Sequence, residues 1–287
     1  MSAKILDGRS LAQTVRAELK ALAAQNAERT GHREGLAIVS VGAQPSSDVY
    51  VRQLIRAAES IGVEATLVTL PEDIDDAGLR AGIDALNDDT ETHGLLVQMP
   101  LPARLSTLAV AEAISPRKDV DGISIRSAGN LFLRYPSFVA ATCAAVVELL
   151  DRYETPIAGR RVAIVGASNT VGKPLAFMLV ARDATVTVCH IHTRDVGAWT
   201  RQADIVIAAA GKAGLITADM IRPGATVVDV GINVRPGGSI VGDVDFAGVA
   251  EVAGAITPVP GGVGPLTPLM ALKQMLLASQ IWAPEPR

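Results

Sequence analysis

Residues 159–190, GRRVAIVGASNTVGKPLAFMLVARDATVTVCH, contain two apolar runs separated by a glycine-rich turn and a helical stretch. The first run, VAIV, ends at Gly166, and Gly172 stands where the following helix is predicted to begin. Short apolar runs of this kind are typical of strands that are buried on both faces of a parallel sheet. The order of strand, turn, helix and strand therefore predicts a βαβ unit with a right-handed crossover.

The same alternation of strands and helices extends in both directions along the chain. Upstream, the continuous apolar run GLAIVSVG predicts a buried strand at 35–42, followed by a helix at 50–61, a strand at 64–70, a helix at 76–87 and a strand at 93–102. Downstream, short strands are predicted at 203–211, 225–233 and 253–262. Further helices are predicted at 9–25, 142–153 and 267–280, and the Pro-, Asp-, Gly- and Arg-rich residues 115–140 are predicted to form a loop.

This order of elements predicts an α/β protein of two domains with a cleft between them. The first is a three-layer α/β domain that begins at the N-terminus, and the helix at 267–280 is well separated along the chain from the other elements of the second domain. The second is a Rossmann-like dinucleotide-binding domain formed by residues 141–267.

The composition argues against several classes of function. The chain has 287 residues, a formal net charge of −4 and no run of basic residues, so no nucleic-acid partner is expected. No apolar run reaches the length of about eighteen residues that spans a membrane, and the N-terminus MSAKILDGRSLAQ lacks an apolar signal core, which favours a cytoplasmic protein. The two distant cysteines, Cys143 and Cys189, predict no disulfide, and the four histidines, without CxxC or HExxH spacing, predict no metal site.

The glycine-rich turn has features of a phosphate-binding site. A strand-to-helix turn exposes backbone N–H groups and a helix N-terminus, and both can bind the diphosphate of a dinucleotide. The spacing from Gly166 to Gly172 is G-x5-G rather than G-x-G-x-x-G, so a tight turn without a ligand stays an alternative. The next strand ends in CHIHTRD without the acidic residue that binds the ribose of NAD, which leaves NADP open. We interpret His190 and His192 as loop residues near the cofactor rather than as metal ligands.

A set of segments along the chain matches one family in order: PSSDVYV, GLLVQMPLP, KDVDG, GASNTVGKPLA, ATVTVCH, ADIVIAAAGK, VVDVGIN, GDVDF and TPVPGGVGPLT. Through them nearly the whole chain resembles the methylenetetrahydrofolate dehydrogenase/methenyltetrahydrofolate cyclohydrolase family of the bifunctional FolD type. The resemblance implies a cytoplasmic homodimer in which residues 1–140 and 268–287 bind folate and residues 141–267 bind NADP. It also implies hydride transfer from the folate methylene group to nicotinamide, followed by hydrolysis of the methenyl product to 10-formyltetrahydrofolate, without a metal.

The resemblance also assigns site residues. It implies that Tyr50, Gln98 and Asp121 are catalytic, and Asp121 can accept paired hydrogen bonds from the 2-amino-pyrimidinone edge of the pterin. The implied folate-binding residues are Ser47, Tyr50, Val97, Pro100, Asp121, Gly261, Gly262 and Pro265. The residues implied to bind the dinucleotide are Gly166, Ala167, Ser168, Val171, Gly172, His190, His192, Thr193, Ala210, Gly211, Ile232, Gly262, Gly264 and Thr267.

One catalytic position departs from the family pattern. The family has a lysine four residues after the tyrosine and assigns it the cyclohydrolase step, whereas this chain has Leu54. Residues four apart share one face of a helix, so Leu54 is predicted to point at the site of the missing lysine. Leucine has no proton to exchange, and Arg56 lies roughly 200° further around the helix. The sequence therefore predicts that cyclohydrolase activity is lost or weakened.

The cofactor positions depart from the family pattern as well. The family arginine after the first glycine is Ala167 here, and the Ser-Arg pair after CH is Ile191-His192, which weakens the expected contacts with the 2′-phosphate of NADP. Arg194, Lys173 and His192 remain as phosphate partners. We therefore favour NADP slightly, and NAD stays open.

Three functions are compatible with these residues. The first is a dehydrogenase of 5,10-methylenetetrahydrofolate, and the second is a diverged paralogue that acts on another folate one-carbon adduct or substrate. The third is a non-catalytic folate- or nucleotide-binding protein. The retained Tyr50, Gln98 and Asp121 argue against the third, because a purely structural descendant has no need of them. The sequence does not separate the first two.

Overall fold

A computed structural model describes residues 2–42 and 45–281, except for the side chains of residues 45–48 and 279–280. The chain divides into two compact units. The first unit comprises Gln13–Ala141 and Pro268–Arg287, and the second comprises Met1–Ala12 and Thr142–Thr267. Each unit contains its own parallel sheet and its own hydrophobic core.

The strands and helices of the described residues are numbered in chain order. The strands are β1 (Lys4–Ile5), β2 (Gly35–Val41), β3 (Glu64–Leu70), β4 (Thr92–Val97), β5 (Arg161–Val165), β6 (Thr185–Cys189), β7 (Ile205–Ala208), β8 (Thr226–Asp229), β9 (Asn233–Val234), β10 (Ile240–Val241) and β11 (Ala255–Ile256). The α-helices are α1 (Gly8–Thr30), α2 (Pro45–Ile61), α3 (Asp76–Asp88), α4 (Thr107–Ala113), α5 (Ile125–Leu133), α6 (Ala141–Arg152), α7 (Gly172–Val180), α8 (Val196–Thr200), α9 (Phe246–Ala250), α10 (Thr267–Leu276) and α11 (Ala278–Ile281). Within these residues, no helix has the length and apolar character needed to cross a lipid bilayer.

The sheet of the first unit consists of three parallel strands in the order β3-β2-β4. In the central strand, Ile38 pairs with Leu67 of β3 and with Leu96 of β4. Ile38 and its neighbour Val39 point to opposite faces of the sheet, and both are fully buried. Val39 belongs to the core that contains Ile83 of α3. The predicted β-α-β-α-β arrangement is confirmed, and burial on both faces explains why β2 is a continuous apolar run.

The segment predicted as a loop at 115–140 contains a helix, so that prediction was wrong for α5. Ser124 caps the helix, because its Oγ accepts a hydrogen bond of 3.1 Å from the Ser127 amide. Arg134 ends it in the left-handed conformation with φ of 61°. The prolines and aspartates that predicted a loop all lie outside α5.

The sheet of the second unit consists of six parallel strands in the order β1-β11-β8-β7-β5-β6. The chain passes from β5 to β6 on one side of β5 and then returns to β7 on its other side. The order therefore reverses between β5 and β7, and ligands of such sheets bind at this reversal, outside the carboxyl ends of the strands. The predicted Rossmann-like α/β architecture is confirmed.

The first residues of the chain belong to the second unit, whereas the sequence placed them in the first domain. The two-residue strand β1 pairs in parallel with β11, matching Lys4 with Ala255. The Ala3 amide donates to the Ala250 carbonyl at 2.9 Å, and the side chain of Ala3 is part of the core of this unit. A strand of two residues is too short to produce a periodic pattern, which explains why the sequence did not indicate it.

Candidate active site

Helix α2 carries Tyr50 and Leu54 one turn apart. Tyr50 is half-buried and Leu54 is fully buried. Burial, together with the nearby negative charge of Asp121, raises the pKa of the Tyr50 phenol above its ordinary value. Tyr50 is therefore a neutral hydrogen-bond donor at any physiological pH. Arg56 is exposed, as expected for a residue on another face of α2. Ser47 also belongs to α2, but its side chain lies outside the described residues.

The end of β4 carries Gln98. The amide of Gln98 continues the sheet by donating to the Val39 carbonyl at 2.8 Å, and its Nε2 donates to the Met99 carbonyl at 2.5 Å. Its Oε1 is buried and has no hydrogen-bond partner among the described residues. A buried acceptor without a partner costs about 1–3 kcal/mol, so Oε1 fits a ligand that donates a hydrogen bond. Of the two neighbouring residues implied by the resemblance, Val97 is buried and Pro100 is exposed.

Asp121 lies on a segment that runs beside β4. The Leu95 amide donates to the Lys118 carbonyl at 2.6 Å, and Leu95 forms an isolated parallel bridge with Asp119. Asp121 and Gln98 therefore both extend beyond the carboxyl edge of the same sheet. The pKa of Asp121 is raised to about 7, mainly by burial and to a lesser extent by the charge of Asp119, while a hydrogen bond of 3.3 Å from the Ala141 amide opposes both.

Asp119 and Gln274, which were not among the predicted site residues, hold this segment in place. Asp119 is fully buried, and its carboxylate accepts from two backbone amides of the following turn, at 2.8 and 3.0 Å. Gln274 of α10 donates from Nε2 to the carbonyls of Val120 and Val139, at 3.2 and 2.9 Å, and accepts from the Val139 amide at 2.7 Å. A polar residue on the buried, mostly apolar side of α10 was the signal that could have indicated this role.

In the second unit, the glycine-rich turn is closely packed. A Cβ at Gly166 would lie 2.0 Å from the Ala209 carbonyl oxygen, and a Cβ at Gly172 would lie 1.9 Å from the Gly166 carbonyl oxygen. Side chains at either position would therefore push the turn away from β7 or from α7. The Ser168 Oγ accepts from the Val171 amide at 3.0 Å, which shapes the turn before α7 begins. These contacts place the turn at the reversal point of the sheet.

The end of β6 lies beside this turn, because the Gly166 amide donates to the Cys189 carbonyl at 2.9 Å. His190 and His192 follow, and both are exposed. The Thr193 Oγ1 accepts from the His190 amide at 2.8 Å, and the His190 Nδ1 accepts from the His192 amide at 3.2 Å. Burial raises the pKa of the Cys189 thiol, which agrees with a small core residue rather than a nucleophile.

Two other segments of the second unit carry residues implied to bind ligands. Ala210 and Gly211, which follow β7 after Ala209, are exposed. Gly261 and Gly262 are buried in the loop after β11, where the Arg9 amide donates to the Gly261 carbonyl at 3.1 Å and a Cβ at Gly8 would lie 1.7 Å from the Gly262 oxygen. Of the other residues implied to bind folate or the dinucleotide, Ile232 and Gly264 are exposed, whereas Ala167, Pro265 and Thr267 are half-buried.

Comparisons with known proteins identify the family. The family model described as "Tetrahydrofolate dehydrogenase/cyclohydrolase, catalytic domain" matches residues 6–121, and its partner "NAD(P)-binding domain" matches residues 140–282. The bifunctional protein FolD of Cupriavidus pinatubonensis is 50% identical over 280 residues, which cover 98% of this chain and 99% of that protein.

Solved structures agree with this assignment. The bifunctional FolD of Campylobacter jejuni is 42% identical with a TM-score of 0.94, covering 97% of this chain and 99% of that one. The FolD of Trypanosoma brucei, in complex with NADP and an inhibitor, is 36% identical with a TM-score of 0.92, covering 98% of both chains. The chain therefore belongs to the tetrahydrofolate dehydrogenase/cyclohydrolase family.

Proposed function

We propose that this protein oxidises 5,10-methylenetetrahydrofolate to 5,10-methenyltetrahydrofolate and that its cyclohydrolase activity is lost or weakened. One observation carries the proposal. The carboxyl edge of the first sheet retains Tyr50, Asp121 and a Gln98 with a buried, unpartnered acceptor, whereas the position one turn after Tyr50 is a fully buried leucine. The groups that hold folate are present, and the group that would exchange a proton with water is replaced.

The oxidation requires positioning more than proton transfer. A hydride leaves the bridging methylene carbon with its electron pair, the nicotinamide accepts it, and the folate product gains one positive charge. Asp121 accepts hydrogen bonds from the pterin edge, and the Gln98 Oε1 accepts one more, so these two residues fix the orientation of the ring. The carboxylate of Asp121 also favours the positive charge that forms on the product.

Hydrolysis of the methenyl product has different requirements. A water molecule must lose a proton as it attacks, and a positioned acid or base normally accelerates that step. Leu54 offers no such group, and Arg56 is exposed. Tyr50 remains protonated because its pKa is raised, so it is a poor base. The methenyl product therefore leaves the protein mainly without being hydrolysed.

We propose NADP as the preferred dinucleotide over NAD. The NAD(P)-binding domain model matches residues 140–282, which include most of the second unit, and the Trypanosoma brucei relative was solved with NADP. Arg194 and His192 are exposed at the end of β6, and Lys173 is exposed at the start of α7, where it donates to the Asn169 Oδ1 at 2.7 Å. These side chains supply positive charge and donors for a 2′-phosphate. A homodimer and a cytoplasmic location stay predictions.

The proposed reaction predicts reduction of a dinucleotide by purified protein. With 5,10-methylenetetrahydrofolate, the absorbance of the reduced nicotinamide should rise, and it should rise faster with NADP than with NAD. Methenyltetrahydrofolate should accumulate in the same assay. Reduction with neither dinucleotide would contradict the proposal. Binding without turnover of any one-carbon derivative would favour a binding protein, and turnover of another adduct alone would favour the diverged paralogue.

The glycine-rich turn predicts a mutation that acts on the dinucleotide alone. In Gly172→Ala, the new Cβ would lie 1.9 Å from the Gly166 carbonyl oxygen, so the turn must open. We expect the KM for NADP to rise roughly tenfold, equivalent to about 1.4 kcal/mol, with little change in the KM for folate. Gly129→Ala in α5 is the control, since nothing lies within 4 Å of its Cβ position. Equal changes in both KM values would contradict this assignment.

A further inference from the structure

The loop directly after β7 lies at the point where the order of the second sheet reverses. Ala210 and Gly211 are its first exposed residues, and the preceding Ala209 carbonyl packs against Gly166 of the glycine-rich turn. Dinucleotides bind outside the carboxyl ends of the strands at such a reversal. The backbone of this loop therefore forms part of the surface that meets the cofactor. Gly211 has a φ of 65°, so the loop contains a residue with unusual backbone freedom.

A buried carboxylate lies beneath this loop. Asp243 is fully buried, and its Oδ2 accepts hydrogen bonds from the amides of Ala210 and Gly211, at 2.6 and 2.9 Å. Its Oδ1 accepts from the Nδ2 of Asn233 at 2.9 Å. A charged acceptor forms stronger hydrogen bonds than a neutral one, so Asp243 anchors two adjacent amides of an otherwise exposed loop.

A second buried carboxylate holds Asp243 itself. The Asp229 Oδ1 accepts from the amides of Gly231 and Asp243, at 2.9 and 3.0 Å, and its Oδ2 accepts from the Val244 amide at 2.9 Å. A Cβ at Gly242 would lie 1.8 Å from the Asp229 Oδ2, and one at Gly231 would lie 2.3 Å from the Asp243 Oδ1. The two carboxylates are therefore held by backbone contacts on several sides.

We propose that Asp243 is a positioning residue for the dinucleotide, because it locks the backbone of residues 210–211 in the conformation that meets the cofactor. The inference rests on the proposed function only because it takes a nicotinamide dinucleotide to be the ligand. Asp243 does not touch the ligand and acts through the two amides. When this anchor is lost, the glycine-containing loop samples other conformations and must be ordered at the moment of binding, which weakens affinity.

A reciprocal exchange of two side chains tests this role. In Asp243→Asn, the side chain has only one acceptor oxygen. If that oxygen accepts from the amides of the loop, the Nδ2 of the new asparagine faces the Nδ2 of Asn233, and two donors meet. In Asn233→Asp, two carboxylates face each other instead. The double variant Asp243→Asn/Asn233→Asp restores one donor facing one acceptor. We expect the Kd for NADP, measured by calorimetry, to rise roughly tenfold in Asp243→Asn and to return close to the wild-type value in the double variant.

Two controls separate positioning from general stability. Asp204→Asn removes a carboxylate at the opposite end of β7, where Asp204 accepts from the Arg161 amide at 2.8 Å, and it should leave the Kd for NADP unchanged. The Kd for tetrahydrofolate should stay unchanged in every variant. Because calorimetry with NADP needs no turnover, this test is independent of whether the protein oxidises folate.

Hydrogen exchange supplies a measurement that needs no variant. In the wild-type protein, the amides of Ala210 and Gly211 should exchange at least about a hundredfold more slowly than in an unstructured peptide, although both residues are exposed. Their protection should fall in Asp243→Asn and recover in the double variant. Unprotected amides in the wild type, a double variant that binds NADP as weakly as Asp243→Asn, or a parallel loss of affinity for tetrahydrofolate would each overturn the proposal.

Discussion

Replacing Leu54 by lysine is expected to increase the hydrolysis of methenyltetrahydrofolate by at least about a hundredfold, the lower end of the usual contribution of general acid–base catalysis. Leu54 lies one turn after Tyr50 on α2, so the new side chain can extend along the same face of the helix. Leu54 is fully buried, and burial lowers the pKa of an ammonium group toward neutrality. A lysine at this position could therefore exchange a proton with an attacking water near pH 7. The measurement is the loss of methenyl absorbance without a dinucleotide.

The matched control for this gain is Leu54→Met. Methionine has a volume close to that of leucine and no proton to exchange, so hydrolysis should stay at the wild-type level. The lysine variant should also be less stable by roughly 2 kcal/mol, because it brings a charge into a fully buried position. A wild-type protein that hydrolyses the methenyl compound as fast as Leu54→Lys would show that another group performs the step. Equal rates in the two variants would show that a lysine at position 54 does not perform the step.

Much of the fold was predictable from local pattern, because five strands are largely buried on both faces: β2, β4, β5, β7 and β8. The run at 35–42 is apolar except for Ser40, since Ile38 and Val39 are buried on opposite sides of the first sheet. The elements that were missed or misplaced lack such a pattern. β1 has two residues and is defined only by its pairing with β11. Helix α5 leaves large apolar side chains exposed, among them Ile125 and Phe132, and is defined by its cap at Ser124.

Site residues whose side chains are implied to contact the ligands themselves could be named from the sequence. Tyr50, Gln98 and Asp121 stand in recognisable segments, and so does the departure at Leu54. The residues that hold others in place were not identified from the sequence. Gln274 meets Val120 across 154 positions of the chain.

Asp243 illustrates the same limit, because it meets the Ala210 amide across 33 positions. It occurs in the GDVDF segment that supported the resemblance, yet its role depends on which amides the folded chain brings to its carboxylate. Sequence motifs therefore identified the groups that are implied to face the ligands. The buried polar groups that position them became apparent only from the folded structure.

Replacing Asp121 by asparagine is expected to lower dehydrogenase activity strongly while making the protein more stable at pH 8. The carboxylate accepts paired hydrogen bonds from the pterin edge, and an amide would present one donor where an acceptor is required, so kcat/KM for folate should fall by at least about a hundredfold. In the wild type, kcat/KM should rise with pH around the raised pKa of Asp121, about 7, because the ionised form binds the pterin. Initial rates between pH 5.5 and 8.5 measure both effects.

The gain in stability follows from the sign of the pKa shift. The pKa of Asp121 is about 7 in the folded protein and about 3.8 in an exposed carboxyl group, so the folded state holds the proton more tightly than the unfolded state. Its contribution to the free energy of unfolding is therefore present below pH 3.8 and is lost as the pH rises through 7. At pH 8 the buried charge opposes folding, and asparagine removes that charge. Because Asp121 is only half-buried, we expect a gain of about 1–3 kcal/mol at pH 8 and a much smaller one at pH 5.

Asp119→Asn provides the matched comparison, because the same substitution two residues away should have the opposite sign. Both oxygens of Asp119 accept backbone amides, at 3.0 and 2.8 Å, so an amide side chain leaves one of those donors without a partner in a fully buried position. This variant should be destabilised by about 1–3 kcal/mol. Urea unfolding of both variants at pH 5 and pH 8 distinguishes the two carboxylates. If Asp121→Asn were also destabilised at pH 8, Asp121 would stabilise the fold at that pH. Its raised pKa would then not mark a carboxylate that is kept for ligand binding and lowers stability.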